Sequence, residues 1–343
     1  MSGAATGDDR LHFEDFEAGQ VYEGATYALS EEEILRFAGA YDPQPMHLDR
    51  AAAAASMLGG VAASGWHVCA LTMRLYFDGV MARTNGLGSP GIEEVRWRRP
   101  ARAGSVLALR IEITGARESQ SRPTTGLVGF ALDLTDAETG ETVSTQRFSV
   151  LIARREPGRP AKGAPKSKGP KPAEAIPTPS AGALDYATSG DVRIGATADL
   201  GTETLDAERI IGFARLYDPQ PFHLDRAAGE ASLFGGLAAS GWQTTALWMR
   251  RYILGRLASV GGMTPERRAR AMAAGGPGLG VRDLRWRRPA LEGDRLRFLS
   301  TPRALSPFAA KPGWSLLTLE NLAVNQRGEI AMSMTLEALI GDG

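Results

Sequence analysis

The chain has 343 residues, 43% of them hydrophobic and 23% charged, with 39 basic and 39 acidic side chains. That is material for two ordinary domains with real cores, and a formal charge of zero speaks against a broad nucleic-acid surface or a footprint on an anionic membrane. The single cysteine, Cys69, excludes an internal disulfide framework and a cysteine metal site, which suits a reducing cytoplasm.

The first residues lack the basic-then-apolar pattern of a secretory signal, and no apolar run reaches membrane-spanning length. Ser30-Glu-Glu-Glu33 is a capping-box signature, and Ile34, Phe37, Ala38 and Tyr41 follow it at helical spacing. Asp42-Pro43 ends this helix, because a residue before proline is pushed out of helical geometry. Pro43-Gln44-Pro45 then stiffens the loop that leads to His47. A long helix starts near Gly65, with Trp66, Cys69, Ala70, Met73, Phe77 and Val80 along one stripe. Leu107, Leu109, Ile111 and Ile113 alternate as in a half-buried strand. Residues 154–180 are rich in Pro, Lys, Gly and Ala and nearly free of large apolar residues, the composition of an extended spacer whose lysines are solvated.

The same order then returns. Asp206 stands as a cap before Ile210, Phe213, Ala214 and Tyr217, and Asp218-Pro219 ends that helix. Trp242, Thr245, Ala246, Met249 and Ile253 repeat the long-helix stripe, and Ile330, Met332, Met334 and Leu336 alternate as a strand. Residues 37–80 and 213–256 are identical at 28 of 44 positions without a gap, and Val95-Arg-Trp-Arg-Arg-Pro-Ala101 matches Leu284-Arg-Trp-Arg-Arg-Pro-Ala290. The second copy has 13 extra residues between these blocks, around 261–276, either a shaped entrance or an inert surface insertion. Two copies are too few for a solenoid, so this is domain duplication: residues 1–153, a linker over 154–185, and residues 186–343. Helices followed by runs of antiparallel strands give an α+β class rather than βαβ units. A long apolar helix wrapped by an antiparallel sheet is the hotdog arrangement, and two fused copies can pair as a pseudo-dimer within one chain. A homo-oligomer of such chains is compatible with the sequence.

Two of the four histidines, His47 and His223, occupy the same place in the two copies, each five residues after an aspartate, Asp42 and Asp218. Adding water across a double bond conjugated to a thioester needs a base for the water and an acid for the α-carbon. Imidazole titrates near neutrality and suits the first task. A nearby carboxylate can bind the same water, and can donate a proton if burial raises its pKa. The helix starts Ser64-Gly65-Trp66 and Ser240-Gly241-Trp242 offer unpaired N–H groups to a developing enolate oxygen, and glycine lets a carbonyl approach. A plain helix-ending turn with a packed histidine would give the same Asp-Pro-x-Pro-x-His pattern.

Other residues carry open readings. His67, matched by Gln243, follows Trp66 and is either a residue tuning the first pocket or a partly buried helix position. Arg96 and Arg98, with Arg285 and Arg287, alternate to one strand face opposite Trp97, as a clamp for CoA phosphates or as a solvated face of paired charges. Gly86-Leu-Gly-Ser-Pro-Gly91 spells a dinucleotide fingerprint but follows a helix and precedes a strand, the reverse of what that fold needs, and reads as a connecting loop. The histidines lack metal-ligand spacing, and neither serine of the helix starts sits in a nucleophile elbow.

The sequence resembles the MaoC-like (R)-specific enoyl-CoA hydratases and dehydratases, whose hallmark is Asp-x-Asn-Pro-x-His after a short helix, then a glycine at the start of the central helix. Here the loops read Asp42-Pro-Gln-Pro-Met-His47 and Asp218-Pro-Gln-Pro-Phe-His223, with Gln44 and Gln220 in the place of the asparagine. The stretches 98–105 and 287–294 look like that family's strand after the helix. The resemblance implies catalytic pairs Asp42/His47 and Asp218/His223, Gly65 and Gly241 in an oxyanion site, and two active pockets per chain. It implies reversible conversion of a trans-2-enoyl thioester and water to an (R)-3-hydroxyacyl thioester, carried on CoA or an acyl carrier protein, without metal or redox cofactor. A hotdog thioesterase and a non-catalytic acyl-CoA or acyl-carrier binding protein are the alternatives, and the histidine five residues after the aspartate argues against the thioesterase.

Overall fold

The structure, a computed structural model, describes residues 10–120, 122–156 and 175–342. Most of the expected linker, residues 157–174, lies outside the described residues. The segment after it is ordered against the second half: Pro179 bridges to Thr197, and Ala183 and Leu184 join the core.

The first half runs β1 (Val21–Ala28), α1 (Glu31–Tyr41), α2 (Pro45–Leu48), α3 (Arg50–Ala55), α4 (Gly65–Gly79), β2 (Gly86–Gly88), β3 (Gly91–Trp97), β4 (Val106–Glu118), β5 (Thr125–Asp136) and β6 (Thr142–Ala153). The second half repeats it as β7 (Ala198–Thr204), α5 (Ala207–Tyr217), α6 (Pro221–Leu224), α7 (Arg226–Ala231), α8 (Gly241–Gly261), α9 (Pro265–Ala273), β8 (Gly275–Trp286), β9 (Arg295–Pro307), β10 (Trp314–Val324) and β11 (Ile330–Gly341). Local chemistry sets the helix ends. Ser30 accepts from the Glu33 N–H while Glu33 returns a bond to the Ser30 N–H, and Asp206 accepts from the Arg209 N–H. The 13 extra residues go into a central helix of 21 residues rather than 15, and into α9.

All strands on the main path are antiparallel, in the order β1-β4-β5-β6-β3-β8-β11-β10-β9-β7. The order is a palindrome about β3–β8, so each half contributes five strands to this path and the two sets join edge to edge. Ile92 faces Leu284 and Val95 faces Val281 across the seam. At Gly91 a side chain would overlap the Leu284 carbonyl oxygen, so the backbones meet there without room for a Cβ. The Gly86–Gly91 stretch is not wholly loop: β2 pairs with β6. The sheet wraps α4 and α8, and one core cluster spans both halves, with Trp66 against Trp248 and Phe37 against Tyr217 at its centre. The protein is thus two fused hotdog domains forming an intrachain pseudo-dimer. Among the described residues, no helix is long and apolar enough to cross a membrane.

Candidate active site

Each aspartate–histidine pair is placed by the break at Asp-Pro. Asp42 caps α1 with its N–H still on the Ala38 carbonyl, and Pro45 begins the one-turn α2 that carries His47. His47 Nε2 lies 3.6 Å from Asp42 Oδ2, and His223 Nε2 lies 3.4 Å from Asp218 Oδ2. Both distances exceed the usual N–H···O range of about 2.7–3.2 Å, so the groups face each other without a tight direct bond. All four side chains are buried.

The surroundings orient each group. Ser64 Oγ donates to Asp42 Oδ2 at 2.5 Å and Gln44 Nε2 to Oδ1 at 2.9 Å; Ser240 and Gln220 do the same for Asp218 at 2.7 and 2.9 Å. The glutamine that replaces the family's asparagine therefore holds the carboxylate. His47 Nδ1 is 2.8 Å from the Ala62 carbonyl and His223 Nδ1 is 2.7 Å from that of Ala238. A carbonyl only accepts, so Nδ1 donates and Nε2 faces the carboxylate. Burial is the largest influence on Asp218 and pushes its carboxyl up. The nearby His223 and hydrogen bonds from Ser240 and Gln220 outweigh it and hold the group below its ordinary value. This direction is opposite to the rise expected from burial alone and favours the carboxylate form of Asp218.

Ser64 and Ser240 are the N-caps of α4 and α8, accepting from Trp66 N and Trp242 N at 3.3 Å while donating to the aspartates. Gly65 and Gly241 open these helices and line the cavities. Their glycine has a reason that sequence reading missed. A Cβ on Gly65 would stand 2.6 Å from Cε2 of the Trp97 ring, and one on Gly241 would overlap the Trp286 ring. Trp97 Nε1 also donates to the Gly65 carbonyl at 3.0 Å. The tryptophan sits in the matched Arg-Trp-Arg-Arg-Pro-Ala block, a signal that was present in the repeat but read as strand alone.

Two cavities open from the pairs. The first, about 400 Å³, holds Asp42, His47, Gly65, Trp66 and Trp97 on one side, and Met249, Tyr252, Ile253 and Leu319 of the second half on the other. The second, about 310 Å³, holds Asp218, His223, Gly241, Trp242 and Trp286 opposite Met73, Tyr76, Gln146 and Phe148 of the first half. Each pair thus faces a wall built by the other half. The extra segment is part of that wall, since Ala271, Met272 and Ala274 line the first cavity.

Several expected residues lie elsewhere. His67 is fully buried and lines neither cavity: it stacks on Phe37 at 4.5 Å, edge-on to Tyr217, and burial lowers its pKa to about 3. Gln243 donates to the Arg209 carbonyl at 2.7 Å and is likewise outside the cavities. Arg96 pairs with Glu94 at 2.8 Å and Glu337 at 2.6 Å, and Arg285 with Asp283 at 3.7 Å. Only Arg98 and Arg287 of that set line cavities. Arg96 and Arg98 do not share a strand face, because β3 ends at Trp97. Among the described residues, no cluster of His, Cys, Asp and Glu has the makings of a metal site.

A duplicated hotdog with a carboxylate–imidazole pair in each half is a double hotdog protein, and the comparisons agree. A double hotdog protein of Mycobacterium tuberculosis superposes with a TM-score of 0.70 at 18% identity, covering 97% of this chain and 99% of that one. A MaoC-domain protein of Chloroflexus aurantiacus superposes at 0.76 with 17% identity, covering 99% of both chains. These likenesses concern the fold. In sequence, residues 15–130 match the MaoC-like domain. The first half therefore carries a MaoC-like domain. A mesaconyl-CoA hydratase of Haloarcula hispanica is 38% identical over 74 residues, 22% of this chain and 21% of that protein. The chain spans about half the length, or less, of the curated relatives it matches.

Proposed function

We propose that the protein is an acyl-thioester hydratase/dehydratase that interconverts a trans-2-enoyl thioester and the (R)-3-hydroxyacyl thioester, on CoA or an acyl carrier, with both pairs active. One observation carries the reading: in each half a buried carboxylate and the Nε2 of an imidazole converge beside a helix amino end, at a cavity of acyl-chain size. In hydration, His47 or His223 takes a proton from a water held against Asp42 or Asp218, and the oxygen of that water bonds to C3. Electron density moves through C2 to the thioester oxygen, which the Gly65 or Gly241 N–H stabilises. The imidazolium then protonates C2, so one water supplies both added groups and the histidine returns to its starting state. The relatives named mesaconyl-CoA hydratases support hydration as the reaction type. The (R) product, the cytoplasmic setting and the lack of any redox cofactor or metal follow the resemblance and the composition.

The test is His47→Ala combined with His223→Ala in a hydration assay run beside a free-thiol assay. Loss of hydration by ~10²–10⁴-fold is expected for removal of the acid–base groups. Thiol release without hydration would instead establish a thioesterase, and an unchanged biological activity in the double variant a binding protein.

A further inference from the structure

We propose, resting on the hydratase reading above, that the two cavities select different acyl chains: the second pair takes chains bearing an uncharged oxygen, a hydroxyl or keto group, remote from the thioester, and the first takes plain alkyl chains. Tyr76 and Gln146 line the cavity opposite Asp218 and His223, and the Tyr76 hydroxyl and Gln146 Nε2 are deeply buried and without a hydrogen-bond partner among the described residues. Protein interiors rarely leave such groups unmatched.

The duplication supplies an internal control. Tyr76 corresponds to Tyr252 in the matched block, and in the first cavity the Tyr252 hydroxyl is already bonded to that of Tyr186 at 2.6 Å. Ser144 faces Trp97 and Met332 faces Trp286, so two residues further along each strand Gln146 corresponds to Met334, an apolar residue. Among the described residues, the unmatched hydroxyl–amide pair therefore lines the second cavity only. Amide nitrogen donates and a hydroxyl donates or accepts, so the complementary ligand atom is an oxygen. An uncharged one fits, because Asp218 lies across the cavity, its negative charge acting on Tyr76, while Arg122, Arg287 and Arg288 of the lining are exposed to solvent. A site that hydrogen-bonds a substrate oxygen discriminates against the analogue lacking it.

The experiment uses the full chain with one pair silenced at a time. His47→Ala leaves only the second pair, and His223→Ala only the first. Each is assayed with trans-2-enoyl-CoA substrates of graded length in matched forms: plain, ω-hydroxy, ω-oxo and ω-carboxy. The His47→Ala protein is expected to prefer the hydroxy or oxo form in kcat/KM, and the His223→Ala protein the plain form. On the His47→Ala background, Tyr76→Phe and Gln146→Met should each lower the polar-to-plain ratio about fivefold, roughly one neutral hydrogen bond. Gln146→Met copies the residue of the other half, and melting curves confirm folding. Equal preferences in the two proteins, a ratio that neither substitution moves, or preference for the carboxylate would overturn the proposal. Failure of the unsubstituted chain to hydrate any of the thioesters sinks the hydratase reading itself.

Discussion

A tryptophan ring lies where a methyl group would be at the start of each central helix, and this makes the glycine a structural requirement before it is a catalytic one. Gly241→Ala forces the Trp286 ring off the helix end. Overpacking of this kind costs about 1–3 kcal/mol, so the melting temperature should fall and second-pair hydration fall with it. Adding Trp286→Val should restore the melting temperature; if it restores full hydration as well, the ring has no part in shaping the site. His67 gives a second prediction. Burial first, then the charges of Arg36 and His47, against the pull of Glu33, lower its pKa from 6.5 to about 3. The folded protein keeps it neutral while the unfolded chain protonates it below 6.5, so stability is lost as pH falls from 6.5 towards 3, by about 1.4 kcal/mol per unit. His67→Gln, which copies Gln243, should flatten the fall of melting temperature between pH 6.5 and 4.5 relative to the unsubstituted protein. Parallel curves would show that the imidazole does not resist protonation.

At the scale of elements, local rules carried far. The capping box at Ser30, the cap at Asp206 and both Asp-Pro breaks stand where the sequence places them, because each depends on neighbours within a few residues. Reading failed where orientation or distance in the chain decides. His67 adjoins Trp66 in sequence, yet at 3.6 residues per turn one step rotates a side chain by about 100°; Trp66 faces the cavity and His67 faces Phe37 and Tyr217. Period-two alternation beyond Trp97 assumed a strand that had already ended. The walls opposite each pair come from the other half, which no local pattern encodes. The segment with α9 illustrates the point: it reads equally well as surface insertion, but its Ala271 and Met272 close the first cavity. Replacing residues 261–273 by a short connection should raise KM for the His223→Ala protein while sparing the His47→Ala protein, whose cavity that segment does not touch. Equal effects on both would make α9 a stability element only.

On the scale of the whole molecule, the seam between β3 and β8 holds both cavities together. Neither pair owns its site, since Met73 and Gln146 wall the second pair while Met249 and Leu319 wall the first. Damage at the seam should then reach both activities at once, although no seam residue belongs to a pair. Gly91 and Gly280 lie on opposite strands of the seam, and a side chain on either would overlap the facing backbone carbonyl, of Leu284 and Val95 respectively. Gly115, on β4, has open space around it and serves as the control. Gly91→Val and Gly280→Val are each expected to reduce hydration in both single-pair proteins, His47→Ala and His223→Ala, together with the melting temperature, while Gly115→Val leaves the activities close to their starting values. Should either seam substitution silence one pair and leave the other at full rate, the two sites are independent, and the fusion of the halves serves something other than the mutual completion of their cavities.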